Sequence, residues 1–370
     1  MSKVNKYNIF IFFSSLSRGI LELYSSIMLF NLGFNINDIY LFFTIYSFVT
    51  ILINFITMYI GNKYNYNILL IISSIIYILS FYYLINMNNS INNLIIFSII
   101  LSISYGIFNI IRHCYGLRSI KDNYINRISI MLIFNYIAII ISSYIGSFIK
   151  NNNVLVLIVL ITSIISIIPL FFYKEEDEKN IKYNIKNIDK RKILFFIIEQ
   201  SKVIFLTLQP LYLYISLNNN IKFIGIFNIF ISIISIIFMY YFSKKINLKY
   251  FIYFNILFSI VLLFKINIFN KNILLVIALF EAIGIKIFEL ISHNNLYNIK
   301  DIEIKGYILI VESIFNLTKF IMFLLFYLIN IDLKILLIIC IIGIFISSFI
   351  IEYKNQNWLF VFFLYLCYYN

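Results

Sequence analysis

The chain has 370 residues, 62% hydrophobic and 12% charged, with a formal charge of +13 and a mean hydropathy of +0.95. A soluble chain averages roughly 45–50% apolar and about 25% charged residues, so this composition cannot cover a water-facing surface. It excludes a soluble enzyme, a secreted disulfide scaffold and a nucleic-acid binder, and its apolar runs of about twenty residues predict a polytopic membrane protein. Cys114, Cys340 and Cys367 lie far apart and suggest neither a metal site nor a disulfide framework.

In chain order, twelve segments are long and apolar enough to span: 7–31, 38–60, 67–86, 92–112, 125–149, 153–173, 193–217, 221–242, 250–269, 272–292, 306–329 and 332–352. The runs are continuous and do not alternate with period two, so helices are expected and not a barrel. Short polar breaks such as Asn86–Ser90 and Asn218–Asn220 separate them. The first span carries Arg18 and Glu22 and is too long for a cleaved leader. If the N-terminus is cytoplasmic and every break changes sides, the cytoplasmic stretches hold 20 basic residues. The outer ones hold 5: Lys150, Lys222, Lys265, Lys271 and Lys334. That positive-inside ratio supports both the count and a cell-membrane protein with both termini cytoplasmic.

The charged stretch 174–192 reads as a solvated cytoplasmic linker between two six-helix halves, 1–173 and 193–352. Residues 353–370 form an apolar tail too short to span, with Trp358 at headgroup level. The halves resemble each other. Ser17-Arg18 matches Ser201-Lys202, Ile120-Lys121-Asp122 matches Ile299-Lys300-Asp301, and Ile133-Phe134-Asn135 matches Ile314-Phe315-Asn316, in order and at nearly one offset. An even number of spans per repeat makes the repeats parallel, related by an axis along the membrane normal.

With twelve spans, a charged central linker and short loops, residues 1–352 resemble the major facilitator superfamily. The basic entries to spans five and eleven, Arg127 and Lys305-Gly306, look like that family's, and Lys63 keeps the charge of its loop between spans two and three. The aspartate and glycines of that loop, and the glycine- and proline-rich motif of span five, are absent. The resemblance implies two parallel-related helical bundles. Spans one, four, seven and ten would line a central cavity, and Lys63, Arg127 and Lys305 would serve gating or structure.

Nine ionisable residues lie within the spans: Arg18, Glu22, Glu199, Lys202, Glu281, Lys286, Glu289, Glu312 and Lys319. Each would cost about 2.5–3.5 kcal/mol facing lipid at mid-bilayer, so they are expected to face one another or a wet cavity. Seven of them sit on spans one, seven and ten. Arg18 and Glu22 share a helix face, as do Glu199 and Lys202, and pairing across the halves is geometrically open.

The functional reading assigns substrate binding to Arg18 and Lys202, with Tyr105 and Asn109 supplying hydrogen bonds. Proton exchange falls to Glu22 or Glu199, with Glu281 grouped beside them. Glu312 and Lys319 lock helices, and Pro210 kinks span seven as a gating hinge or a fixed bend. His113 and His293, at span ends, read as inert. The expectation is a monomeric, proton-coupled secondary transporter of a small anionic or zwitterionic solute, working by alternating access, with no cofactor and no metal. The alternative is a polytopic enzyme of polysaccharide or lipid-linked sugar metabolism. Such an enzyme usually needs a sizeable outer loop, and no catalytic motif is present.

Overall fold

The computed structural model describes residues 3–61, 66–119, 124–149, 151–171, 190–242, 251–297 and 304–352. They form twelve helices: α1 (Lys3–Asn31), α2 (Ile36–Gly61), α3 (Tyr66–Asn86), α4 (Ile91–Ser119), α5 (Tyr124–Phe148), α6 (Asn152–Phe171), α7 (Lys190–Ser216), α8 (Ile221–Phe242), α9 (Phe251–Lys265), α10 (Lys271–Tyr297), α11 (Ile304–Ile329) and α12 (Leu333–Glu352). Among the described residues, seven helices are long and apolar enough to cross a membrane, and shorter apolar helices cover 153–169, 253–265 and 333–347. The remaining two, α1 and α10, carry intramembrane charges in place of an unbroken apolar run. Lys63 and the tail 353–370 lie outside the described residues, as does most of the 174–192 linker.

The polar breaks act as caps. Asn35 and Asp38 cap the start of α2 reciprocally: Asp38 N donates to Asn35 Oδ1 at 2.8 Å, and Asn35 N donates to Asp38 Oδ2 at 3.0 Å. The Oδ1 atoms of Asn220, Asn270 and Asp332 accept the early amides of α8, α10 and α12. These bonds satisfy amides that have no partner inside the helix. At the other ends, Gly33 (φ 96°), Asn219 (φ 61°) and Asn330 (φ 52°) take the left-handed conformation that stops α1, α7 and α11.

The two halves pack by one plan. In the first, α1 lies on α5 and α6, α2 on α4, and α3 on α4 and α6; in the second, α7 lies on α11 and α12, α8 on α10, and α9 on α10 and α12. The halves meet along two long seams, α2 against α11 and α5 against α8, which exchange under the same shift of six helices. Isoleucine, leucine and phenylalanine cover the exterior, while serines such as Ser73, Ser98, Ser102, Ser104, Ser142 and Ser143 are fully buried. Small residues let helices approach closely in lipid. Many interior hydroxyls bond back to their own helix: Thr44 to the Tyr40 carbonyl at 2.8 Å, Thr50 to Tyr46 at 2.7 Å and Ser147 to Ser143 at 2.6 Å.

We call the face where α1 and α7 begin proximal, and the face where they end distal. At the distal face the halves are fastened by Tyr40, whose hydroxyl donates to the Ile331 carbonyl at 3.2 Å, and by Tyr214, which donates to Asn31 Oδ1 at 2.8 Å. Nearby, Gly225 on α8 lets α5 approach. A Cβ there would sit 2.0 Å from Ser147 Oγ and 3.1 Å from the Ser143 carbonyl oxygen. Gly225→Val is therefore expected to push α5 and α8 apart, at a cost of about 1–3 kcal/mol typical of overpacking. A lower unfolding midpoint in detergent is the result expected; an unchanged one contradicts the close approach.

Candidate functional site

In the proximal half, a cavity of about 310 Å³ opens between the two halves. Its walls come from α1, α4 and α5 on one side and α7, α10 and α11 on the other. Three cations (Arg112, Lys202 and Lys319) and three acids (Glu199, Glu289 and Glu312) line it, with His113, Asn109, Asn135, Gln200 and Ser292. Apolar side chains, among them Met131, Leu132 and Phe315, complete the wall.

Two charged residues of α7 are deeply set. Lys202 is 4% exposed, with Nζ 3.9 Å from Glu199 Oε1 and 4.4 Å from the centre of the Phe288 ring. Glu199 is 6% exposed; its Oε1 accepts the Ser292 hydroxyl, and its Oε2 has no hydrogen-bond partner. Leaving a buried acceptor unmatched costs about 1–3 kcal/mol, and more when it is charged. Lys319, on α11, also faces the cavity and has no carboxylate within ion-pair distance among the described residues.

Two straps cross the cavity's flanks. From the first half, His113 Nε2 on α4 lies 3.1 Å from Glu312 Oε1 on α11. On the other flank, Tyr136 on α5 hydrogen-bonds both Lys286 and Glu289 of α10, which themselves pair at 2.8 Å. The repeat relates the two straps, since α4 corresponds to α10 and α11 to α5. Glu312 thus meets a residue of the other half, and that partner is His113 and not Lys319. The histidine expected to be inert supplies that contact.

The structure separates the other expected residues. Arg18 is 3% exposed and lies inside the first half, not on the cavity. Its Nη2 donates to Ser73 Oγ at 2.9 Å and its Nη1 to Ser104 Oγ at 3.2 Å, and its guanidinium lies 3.9 Å from the Phe108 ring centre and under 5 Å from those of Tyr77 and Tyr105. Ser73 and Ser104 clasp α3 to α4 by donating to each other's carbonyls at 2.9 and 2.8 Å. Tyr105 therefore touches Arg18, whereas Asn109, one turn on, reaches the cavity. Glu22 is exposed and lies within electrostatic reach of Arg18, Tyr77, Tyr105 and Tyr46. Tyr46 in turn is within electrostatic reach of Glu312 and Arg112. No cross-pairing of Arg18 with Glu199, or of Lys202 with Glu22, forms.

Glu281 is fully buried in the second half and distant from the cavity wall. It accepts from Lys265 Nζ at 2.5 Å and from Gln209 Nε2 at 2.7 Å, and Lys265 lies 4.2 Å from the Phe227 ring centre. Lys265, expected in an outer loop, is 2% exposed. Pro210 sits within α7 beside Gln209. Arg127 and Lys305 fall in the first turns of α5 and α11, and their side chains lie outside the described residues, as does that of His293. Among the described residues no cluster of histidine, cysteine or acidic side chains could hold a metal ion.

The sequence reading passed over His113 in this role, and over Asn135, Tyr136, Gln200 and Ser292. One signal was available: Asn135 and Phe315, both on the cavity wall, belong to the repeated Ile-Phe-Asn segment.

A family model described as Major Facilitator Superfamily matches residues 8–351. The chain belongs to the major facilitator superfamily. Its fold is similar to the crystal structure of a bacterial homologue of the iron transporter ferroportin in the outward-facing state, with TM-score 0.66, 11% identity, and 96% of this chain and all of that one covered. It is also similar to a variant of the nucleoside transporter NupG, with TM-score 0.63, 14% identity and the same coverage. At these identities the likeness concerns the fold alone. No curated protein matches the sequence. This member of the superfamily is a multi-pass membrane protein of the secondary-transporter class, and the cavity lies where its two helical halves face each other.

Proposed function

We propose that the chain moves a small charged solute across the cell membrane by alternating access, with the proximal cavity as its binding site. The observation that carries this reading is the pair Lys202 and Lys319. Two ammonium groups face one cavity between the halves, one with only a loose carboxylate neighbour and the other with none within ion-pair distance among the described residues. Buried cations without close partners are costly, and an anionic group on a solute relieves both. The volume falls at the low end of the roughly 300–1,000 Å³ usual for small-molecule sites. Asn109 contributes a hydrogen-bonding side chain to the same wall. The distal fastenings and proximal straps then alternate as the halves rock, and Pro210 gives α7 its bend. The orientation with both termini cytoplasmic follows the basic residues, which makes the cavity mouth cytoplasmic.

Proton coupling falls in this reading to Glu22. Its side chain is exposed and stands one turn from the buried Arg18. Arg18 and Tyr105 then act from behind the site, by setting the charge balance felt at Glu22. Glu281, held by Lys265 and Gln209, serves structure. The test is transport in proteoliposomes with an imposed pH gradient. Glu22→Gln is expected to abolish gradient-driven accumulation while exchange of solute between the two sides stays within a fewfold of wild type. Gradient-driven accumulation by this variant at the wild-type level refutes the assignment.

A further inference from the structure

We propose that the transported solute is an α-amino acid with an apolar side chain, its carboxylate between Lys202 and Lys319 and its ammonium at Glu199 Oε2. The inference deepens the proposed function and rests on it. Lys202 Nζ and Glu199 Oε1 stand only 3.9 Å apart on adjacent turns of α7. A pair of opposite charges so close fits a ligand whose own opposite charges sit on one carbon. Glu199 Oε2 is an acceptor in a 6% exposed residue of the cavity wall, and it has no donor. An ammonium supplies one.

Charge balance narrows the class. A simple anion would satisfy the two lysines but place its negative charge beside the Glu199 carboxylate. A simple amine would satisfy Glu199 and set its positive charge against the two ammonium groups. Glu289 and Glu312 are already engaged, by Lys286 and His113, which leaves Glu199 as the acid of the wall with an unmatched oxygen. A solute with both charges on one end matches Glu199 and the two lysines, and its remaining portion meets Met131, Leu132 and Phe315.

The test uses wild-type protein in proteoliposomes and three matched probes in counterflow: L-leucine, N-acetyl-L-leucine, which lacks the ammonium, and 3-methylbutylamine, which lacks the carboxylate. Leucine is expected to exchange, and each analogue to exchange about ten- to a hundredfold less well, the loss typical of one unmatched charged contact. Glu199→Gln should lower leucine exchange and shrink the gap between leucine and its N-acetyl derivative. If that variant does not fold, the analogue series on wild-type protein decides. Equal exchange of leucine and N-acetyl-leucine overturns the inference, as does absence of exchange with leucine and every other apolar amino acid. In that second case, Lys202-dependent flux of some other charged solute leaves the transporter reading standing. Flux indifferent to both Lys202 and Lys319 removes that reading as well.

Discussion

Lys202→Gln is expected to lower solute exchange by about ten- to a hundredfold while the protein still folds and inserts. The loss follows from removing a charged contact in a site largely shielded from water, where such contacts are worth about 1.5–3 kcal/mol. Folding should survive because the lysine's carboxylate neighbour is 3.9 Å away, too far for a strong hydrogen bond, and glutamine keeps most of the side-chain volume. Lys319→Gln should behave alike, since Lys319 gives up no ion pair among the described residues. Transport assays on the reconstituted variants, with unfolding midpoints measured alongside, check both halves of the expectation. Full transport by either variant would show that the cavity's ammonium groups do not touch the solute.

The second large effect concerns stability and not transport. Lys265→Met is expected to destabilise the protein by about 3–5 kcal/mol, because Glu281 is then left as a buried carboxylate without its cation. Gln209 holds only one of its oxygens. The double variant Lys265→Met, Glu281→Leu should recover most of that loss, since an apolar pair of similar volume is often as stable as a buried ion pair. Neither residue lines the cavity, so the recovered double variant should also transport. Thermal unfolding in detergent separates the outcomes. A single variant as stable as wild type would mean that the pair carries no structural weight.

The sequence disclosed the helices better than the interior. Apolar patterning located the twelve helices, although α1 and α10 have no unbroken apolar run, and the asparagine-rich breaks hold caps at helix starts. It fell short at the ends of α4 and α10, which run on to Ser119 and Tyr297, well past their apolar residues. There the signal is backbone hydrogen bonding, and hydropathy does not record it. Lys265 shows the same weakness. A lysine at a span's end reads as a loop charge unless its partner is known, and Glu281 lies on the following helix. Most mid-span charges were legible as interior groups, Glu22 being the exposed one. Which of them meet was not, because pairing depends on helix rotation. Arg18 and Lys202 occupy matching places in the repeat, yet one is enclosed by Ser73, Ser104 and three aromatic rings, and the other faces the cavity.

The hydroxyls along the seams have a mechanical consequence. Ser147 on α5, and Thr44 and Thr50 on α2, direct their protons to carbonyls of their own helices. Such a surface asks nothing polar of the helix it rests on. Were α5 to slide over α8, as the proposed alternating access requires, Ser147 would leave no dangling donor behind. Hydroxyls satisfied this way behave as dry bearings, whereas Tyr40 and Tyr214 act as pins between the halves.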